Sequence, residues 1–205
     1  IICSRIHPTS SIYNGFCASM IATTDVPLRF MSLIPDENGV NQTLMTYQTQ
    51  NEQTEKFLKL HCLEFLDSTT FATGSHKLIS IFDVNRANPL LEFKSKAGIT
   101  SCITKTDNEF STANGFYTGS FSNKIQLFDT SGEVLQSVSL RSGNGITQLL
   151  ESSNGKYIYV VSRNSNKIDI LDIRMGLKQI CQLDGFSSGN QRLKGDVLPN
   201  SQGLV

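Results

Sequence analysis

The most informative part of this sequence is TGSFSNKIQLFD at residues 118–129, because other segments repeat its pattern. Close copies are TGSHKLISIFD at 73–83 and VSRNSNKIDILD at 161–172, and PLRFMS at 27–32 is a fainter one. The three clear copies each close on an aspartate: Asp83, Asp129 and Asp172. The period of about 45 residues indicates an architecture built from one repeated unit of secondary structure.

Each repeat reads as a short antiparallel sheet. In the 118–129 copy, Ile125 and Leu127 alternate with Gln126, the period-two pattern of a strand with one apolar face. The turn Ser122-Asn123 joins this strand to the preceding Thr-Gly-Ser strand, which predicts a hairpin. A further strand precedes the copy at 98–103 and another follows at 134–138, and the corresponding strands around the 73–83 copy are predicted at 58–65 and 90–93. The sequence therefore predicts four strands per repeat.

Four short strands per repeat, without a helical period, predict an all-β fold of the β-propeller type. A four-stranded sheet of this kind has two apolar faces and cannot be stable alone, so neighbouring sheets must cover them. We expect a single domain over residues 1–205, and its predicted blades are 1–49, 50–96, 97–141 and 142–185, with 186–205 opening the next blade.

Two sets of positions carry a family resemblance. Phe82-Asp83, Phe128-Asp129 and Leu171-Asp172 stand where WD40 repeats have Trp-Asp, and Ser75, Ser120 and Ser162 stand where those repeats have a hydroxyl residue. The chain resembles the WD40 family, although it has no Trp and no Gly-His dipeptide opening a repeat. The resemblance implies a ring of about seven blades near 300 residues long, so we expect this chain to be an incomplete propeller.

The last third carries a narrower resemblance. It contains DIR at 172–174, NQRL at 190–193 and DVLPNSQG at 196–203, in that order. This part is similar to the telomerase Cajal body protein family. The resemblance implies a non-enzymatic nuclear scaffold that engages small nuclear RNAs or the proteins of their RNPs. The Asn-rich, Trp-free character is nearer to fungal members, which are associated with pre-mRNA splicing. Binding and trafficking of telomerase or small Cajal body RNAs is the alternative, and the cytoplasm is a second location.

The candidate RNA-binding or partner-binding residues are Arg174, Asn190, Gln191 and Arg192. Arginine guanidinium groups suit phosphates and the exposed bases of single-stranded RNA. Salt bridges between sheets, or simply solvated charge, are the competing interpretation. Leu171-Asp172-Ile173-Arg174 also resembles the Trp-Asp-x-Arg box of substrate receptors for cullin ubiquitin ligases, and in the plainer interpretation its aspartate caps a tight turn while the arginine pairs with a neighbouring blade.

The remaining features limit the class of function. The 18 basic and 18 acidic residues cancel, so no overall field attracts nucleic acid. No apolar run approaches the roughly 20 residues of a membrane span. Five widely spaced cysteines without a Cys-x-x-Cys motif indicate reduced thiols. No nucleophile, phosphate-loop or metal motif is present. We expect no enzymatic activity, catalytic residue, cofactor, metal site, membrane contact or small-molecule substrate.

Overall fold

Strands account for nearly all the regular structure of this protein. The computed structural model describes residues 2–50, 54–106, 115–141, 143–185 and 187–197. Within these ranges the helical structure amounts to one 3-10 turn, Ile12–Asn14. The chain divides into two compact units, Ile1–Lys94 (unit 1) and Ser95–Val205 (unit 2). The prediction of an all-β fold is confirmed.

Unit 1 begins with a four-stranded antiparallel sheet in simple sequential order. Its strands are β1 (Cys3–Ile6), β2 (Ala18–Ala22), β3 (Leu28–Pro35) and β4 (Asn41–Tyr47). The faint repeat at 27–32 thus belongs to the third strand of its sheet. A second antiparallel set follows, with β5 (Cys62–Phe65), β6 (Thr70–Gly74) and β7 (His76–Asp83).

The core of unit 1 lies between these two sets of strands and is largely aromatic. Phe71 and Phe82 stack with their ring centroids 5.2 Å apart, and Tyr47 from β4 meets both rings edge-on. The Tyr47 hydroxyl donates a 2.7 Å hydrogen bond to the carbonyl of Val84. Rings of this size supply much of the apolar burial available to a small sheet pair, and the buried hydroxyl is satisfied. Apolar packing therefore dominates this core.

Strand β8 (Leu91–Lys105) crosses the boundary between the units. Within unit 1 its first residues continue the sheet beyond β7, and within unit 2 residues 100–105 pair with β9 (Gly115–Ser120). Gly98 has φ +77°, a conformation that glycine adopts without steric cost. The two strands predicted at 90–93 and 98–103 thus both fall, apart from residue 90, within the one longer strand β8.

Unit 2 repeats the plan of unit 1. After β9 come β10 (Lys124–Asp129) and β11 (Val134–Ser139). A sequential four-stranded sheet follows, with β12 (Ile146–Glu151), β13 (Tyr157–Ser162), β14 (Ile168–Asp172) and β15 (Lys178–Leu183). Ile125, Ile146, Ile158 and Leu171 are fully buried in the core between these two sets.

The two repeats in this unit meet at a glycine. A Cβ atom on Gly119 in β9 would lie 2.7 Å from Cγ2 of Ile146 in β12 and 2.6 Å from the sulfur of Cys102. The Thr-Gly-Ser part of the repeat therefore has a packing role, because only a residue without a side chain lets the two sheets approach this closely.

One strand prediction is wrong at its start. The strand expected over 58–65 begins only at Cys62, because the amide of Leu58 donates to the carbonyl of Thr49 and leaves the ladder. The predicted opening strands over 186–205 lie partly outside the described residues, and 187–197 contains no named strand. The blade boundaries and the closed ring stay predictions. No helix in the described ranges is long and apolar enough to cross a membrane.

Candidate nucleic-acid interface

Arg174 lies in the turn between β14 and β15 and is bound to the aspartate two positions before it. Its Nε and Nη2 atoms donate to the carboxylate of Asp172 at 3.1 and 2.7 Å, and its backbone amide donates to the same group at 2.9 Å. These hydrogen bonds from Arg174 lower the pKa of Asp172. The arrangement fits an aspartate that caps a tight turn, with the arginine paired inside its own turn instead of with another sheet.

Asn190 lies beside a different arginine. Nη1 of Arg163 donates to the side-chain oxygen of Asn190 at 3.4 Å, while Nε and Nη2 donate to the carbonyl of Asn144 at 3.1 and 2.9 Å. The guanidinium carbon of Arg163 lies 4.2 Å from the centre of the Phe121 ring. The aromatic face and the shared carbonyl together fix the plane of this guanidinium group.

Arg192 is anchored to the backbone of β8. Its Nη2 donates a 2.6 Å hydrogen bond to the carbonyl of Ser101. Nearby, the side chain of Gln148 in β12 donates to the carbonyl of Gly195 and accepts from its amide, both at 2.8 Å. The segment after β15 is therefore held against β8 and β12 by side chains. Gln191, which directly precedes Arg192, is exposed.

Burial raises the pKa of the neighbouring Cys102 thiol to about 11, and the charge of Arg192 opposes this rise without reversing it. A thiol of this kind stays protonated and unreactive at neutral pH. The cysteine beside the anchored arginine is therefore part of the packing between sheets.

The structure separates the residues that the sequence grouped together. Arg174 lies in the turn at which β14 ends, whereas Asn190 contacts Arg163 in the turn that precedes β14. The turns before and after a strand lie at opposite ends of that strand, so these two turns lie at opposite ends of the β12–β15 sheet of unit 2. Asn190 and Arg163 therefore belong to one surface, and Arg174 does not.

The end that holds Arg163 carries an excess of positive charge, and we call it the basic end of unit 2. Its described connections are 121–124, 140–141, 143–145, 163–167, 184–185 and 187–190, which contain four basic residues: Lys124, Arg141, Arg163 and Lys167. Their one acid is Asp184, whose carboxylate lies 3.3 Å from Nζ of Lys167 in an exposed pair. Exposed pairs of this kind are weak. At the opposite end the connections hold four carboxylates, Asp129, Glu133, Glu151 and Asp172, together with three basic residues, Lys156, Arg174 and Lys178.

Hydrogen bonds join these connections into one surface. The side chain of Asn123 donates to the carbonyl of Gly143 at 2.7 Å and accepts from the amide of Gly145 at 2.6 Å. The amide of Asn164 donates to the carbonyl of Gly189 at 3.1 Å. Gly145 has φ +110°, and a Cβ atom there would come within 3.0 Å of Phe121 and of the Arg163 guanidinium. The absence of a side chain at Gly145 thus leaves room for Phe121 and for the guanidinium group of Arg163.

The sequence analysis selected Arg174, Asn190, Gln191 and Arg192, and it did not select Arg163, Phe121, Asn144 or Arg141. The sequence feature that could have indicated this surface is the recurrence of polar turns at the same point of successive repeats, such as Ser122-Asn123 and Ser165-Asn166. Turns at equivalent points of a repeat lie at the same end of their sheets. Within the ranges that the structure describes, no group of three or more His, Cys, Asp or Glu side chains could hold a metal ion.

The chain is similar to several fungal proteins, among them the following. No family model matches the sequence. The chain is 31% identical over its whole length to a protein named SWT21 from Vanderwaltozyma polyspora, covering 52% of that relative. It is 33% identical over 96% of its length to the SWT21 protein of Zygosaccharomyces rouxii, covering 50% of it. The chain thus spans about half the length of these relatives.

A protein with a different name is also similar. The guanine nucleotide-binding protein negative regulator 1 of Schizosaccharomyces pombe is 25% identical over 86% of this chain, which covers 46% of that relative.

Proposed function

We propose that this chain is part of a WD40-type β-propeller that acts as a non-enzymatic scaffold in nuclear pre-mRNA splicing, through association with small nuclear RNPs. The observation that carries the proposal is the similarity of nearly the whole chain to yeast proteins named SWT21. It joins the resemblance of residues 168–205 to the telomerase Cajal body protein family, whose fungal members are associated with splicing.

The packing inside each unit supports the propeller part of the proposal. Neighbouring blades of a propeller contact each other most closely along their first strands, near the axis. In unit 1, Arg5 of β1 forms a 2.8 Å ion pair with Glu64 of β5. In unit 2, the hydroxyl of Thr104 in β8 donates to the carbonyl of Leu149 in β12 at 3.1 Å. Both contacts join the first strands of successive repeats.

A scaffold of this kind works by holding RNA and protein on its surfaces at once, without a chemical step. The test is immunoprecipitation of the tagged, complete protein from its host cells, followed by sequencing of the recovered RNA. We expect enrichment of small nuclear RNAs over an untagged control. Recovery of telomerase or modification-guide RNA instead would support the alternative RNA cargo, and recovery of no RNA would contradict the proposal.

The fission yeast relative favours a second candidate, regulation of a guanine nucleotide-binding protein. The same immunoprecipitation distinguishes the splicing scaffold from the G-protein regulator, because recovery of a G-protein subunit without small nuclear RNA would favour the regulator. The cullin-receptor hypothesis predicts a cullin adaptor in the precipitate that is lost in the Arg174→Ala variant. In that variant Asp172 would also lose its pairing partner, so Arg174→Lys is the matched control for turn structure.

A further inference from the structure

One end of unit 2 carries an excess of positive charge, although the chain as a whole is neutral. The basic end carries Lys124, Arg141, Arg163 and Lys167 against a single carboxylate, Asp184. The remaining side chains of these connections are mostly serine and asparagine, which both donate and accept hydrogen bonds. A surface of this composition complements a ligand with spaced negative charges and many hydrogen-bonding groups.

The Arg163–Phe121 pair adds a flat element to this surface. The guanidinium group is held over the ring at 4.2 Å, and two of its nitrogen atoms donate to the carbonyl of Asn144. Arginine planes of this kind stack with nucleobases, which are unpaired and accessible only in single strands. The plane is fixed before a ligand arrives, so little side-chain freedom would be lost on binding.

Phosphate groups would find separate partners on the same surface. Arg141 and Lys167 are both exposed and lie in connections on either side of β12 and β13. Among the residues that the structure describes, the ion-pair partner of Lys167 is the exposed Asp184, a weak competitor for phosphate. Arg192, in contrast, donates to the carbonyl of Ser101 and serves the fold. The charges available to a ligand are therefore those of the turns.

We propose that the basic end of unit 2 binds single-stranded RNA, with a base stacked on Arg163 and phosphates held by Arg141 and Lys167. This inference rests on the proposed function and deepens it, because it assigns the RNA-contacting surface of the scaffold. It also replaces the sequence-based choice of Arg174, which lies at the other end of β14.

Binding is measured by fluorescence anisotropy with a labelled oligouridylate of about 20 nucleotides and the complete protein, over a series of salt concentrations. The test variant is Arg141→Gln/Lys167→Gln. The matched control, Lys156→Gln/Lys178→Gln, removes the same charge at the opposite end. We expect the control to bind as the parent does. For the test variant, the slope of log affinity against log salt should fall by about 1.4, since each contact with a single strand contributes about 0.7.

Stacking is tested by Arg163→Lys, which keeps the charge and removes the plane. We expect affinity to fall at least about fivefold, the lower limit for one stacked base, with the salt slope unchanged. Arg174→Lys is the control and should have no effect. A thermal melt of each variant shows whether the fold is kept. If Arg163→Lys unfolds, the Arg141→Gln/Lys167→Gln variant, whose two substituted side chains are exposed, still decides the proposal.

Three results would overturn the assignment: equal losses in the two double variants, parental affinity in the Arg141/Lys167 variant, or displacement of the RNA by oligoglutamate as effectively as by unlabelled RNA. The last result would indicate a general acidic-peptide surface. The immunoprecipitation separates this failure from failure of the function. If parent and variant recover small nuclear RNA equally, the RNA-binding surface is assigned wrongly but the splicing function stands. If the protein binds oligouridylate in vitro but recovers no small nuclear RNA from cells, the splicing function is contradicted but the surface stands.

Discussion

The guanidinium group of Arg192 donates a 2.6 Å hydrogen bond to the backbone carbonyl of Ser101, which lies 91 positions earlier in the chain. The contact ties the segment after β15 to strand β8. Arg192 belongs to the NQRL motif at 190–193, which resembles part of an RNA-associated family, and in the structure its side chain stabilises the fold.

The first prediction concerns this contact. Arg192→Ala should lower the free energy of unfolding by about 1 kcal/mol, because a charged donor is lost and the Ser101 carbonyl is left without it. Urea unfolding of the variant measures the change. Gln191→Ala, at the exposed neighbouring position, is the control and should be neutral. Unchanged stability together with reduced recovery of RNA would instead make Arg192 a ligand-contacting residue, as the sequence alone suggested.

The second prediction concerns the close approach of two sheets at Gly119. Gly119→Ala should destabilise the protein by about 1–3 kcal/mol, because the new Cβ would lie 2.6 Å from the sulfur of Cys102 and 2.7 Å from Cγ2 of Ile146. Gly189→Ala is the matched control, since a Cβ there meets no atom within 4 Å. A thermal melt compares the two, and equal melting temperatures would show that β9 and β12 do not pack as described.

A third prediction uses two serines at equivalent points of the repeat. The Ser120 hydroxyl donates to the carbonyl of Lys124 and accepts from its amide, both at 3.1 Å, whereas the buried Ser162 hydroxyl finds no hydrogen-bond partner in the described residues. Ser120→Ala should therefore cost about 1 kcal/mol, and Ser162→Ala should be neutral or slightly stabilising. Denaturant midpoints measured side by side decide this, and a larger loss for Ser162→Ala would contradict it.

The fourth prediction is a dependence on pH. Partial burial raises the pKa of Asp67, but hydrogen bonds from Thr70 and Thr69 outweigh it and hold the pKa at about 2, below the ordinary 3.8. A carboxyl with a lowered pKa stabilises the folded state fully above its unfolded value and loses that contribution as the pH falls. Between pH of about 4 and 2 the protein should therefore lose about 1 kcal/mol through this exposed group.

Asp67→Asn tests the fourth prediction. The variant should be less stable near neutral pH and should show a smaller fall in its urea midpoint between pH of about 4 and 2. Glu37→Gln, at another exposed carboxyl, serves as the control. A parental pH profile in the Asp67 variant would assign the acid sensitivity to other groups.

The repeating pattern was enough to predict the strands, because period-two alternation and polar turns are local properties of the sequence. Ile125 and Leu127 are buried as their alternation predicts, although Gln126 between them is buried too, and the hairpin at Ser122-Asn123 joins β9 to β10. The start of β5 could not be predicted, because Leu58 bonds to Thr49 and not to the adjacent strand.

The site was harder to predict than the strands. Counting strand directions places Arg174 and Asn190 at opposite ends of β14, so their separation could have been inferred from the sequence. The hydrogen bond from Arg192 to the carbonyl of Ser101 could not have been inferred from the sequence, because it depends on the path of an irregular segment across two strands. Likewise, nothing local to Phe121 indicates that Arg163 lies over its ring.

The position of Phe121 under Arg163 has a practical value in a chain that contains no tryptophan. Phe121→Trp would place a single indole under this guanidinium group, with no other indole of the chain contributing to its emission. Its emission would report directly on a nucleobase arriving at that spot, by quenching, without any dye attached to protein or oligonucleotide. The Arg163–Phe121 pair, which we expect to bind RNA, is thus also a suitable position for an intrinsic fluorescent probe.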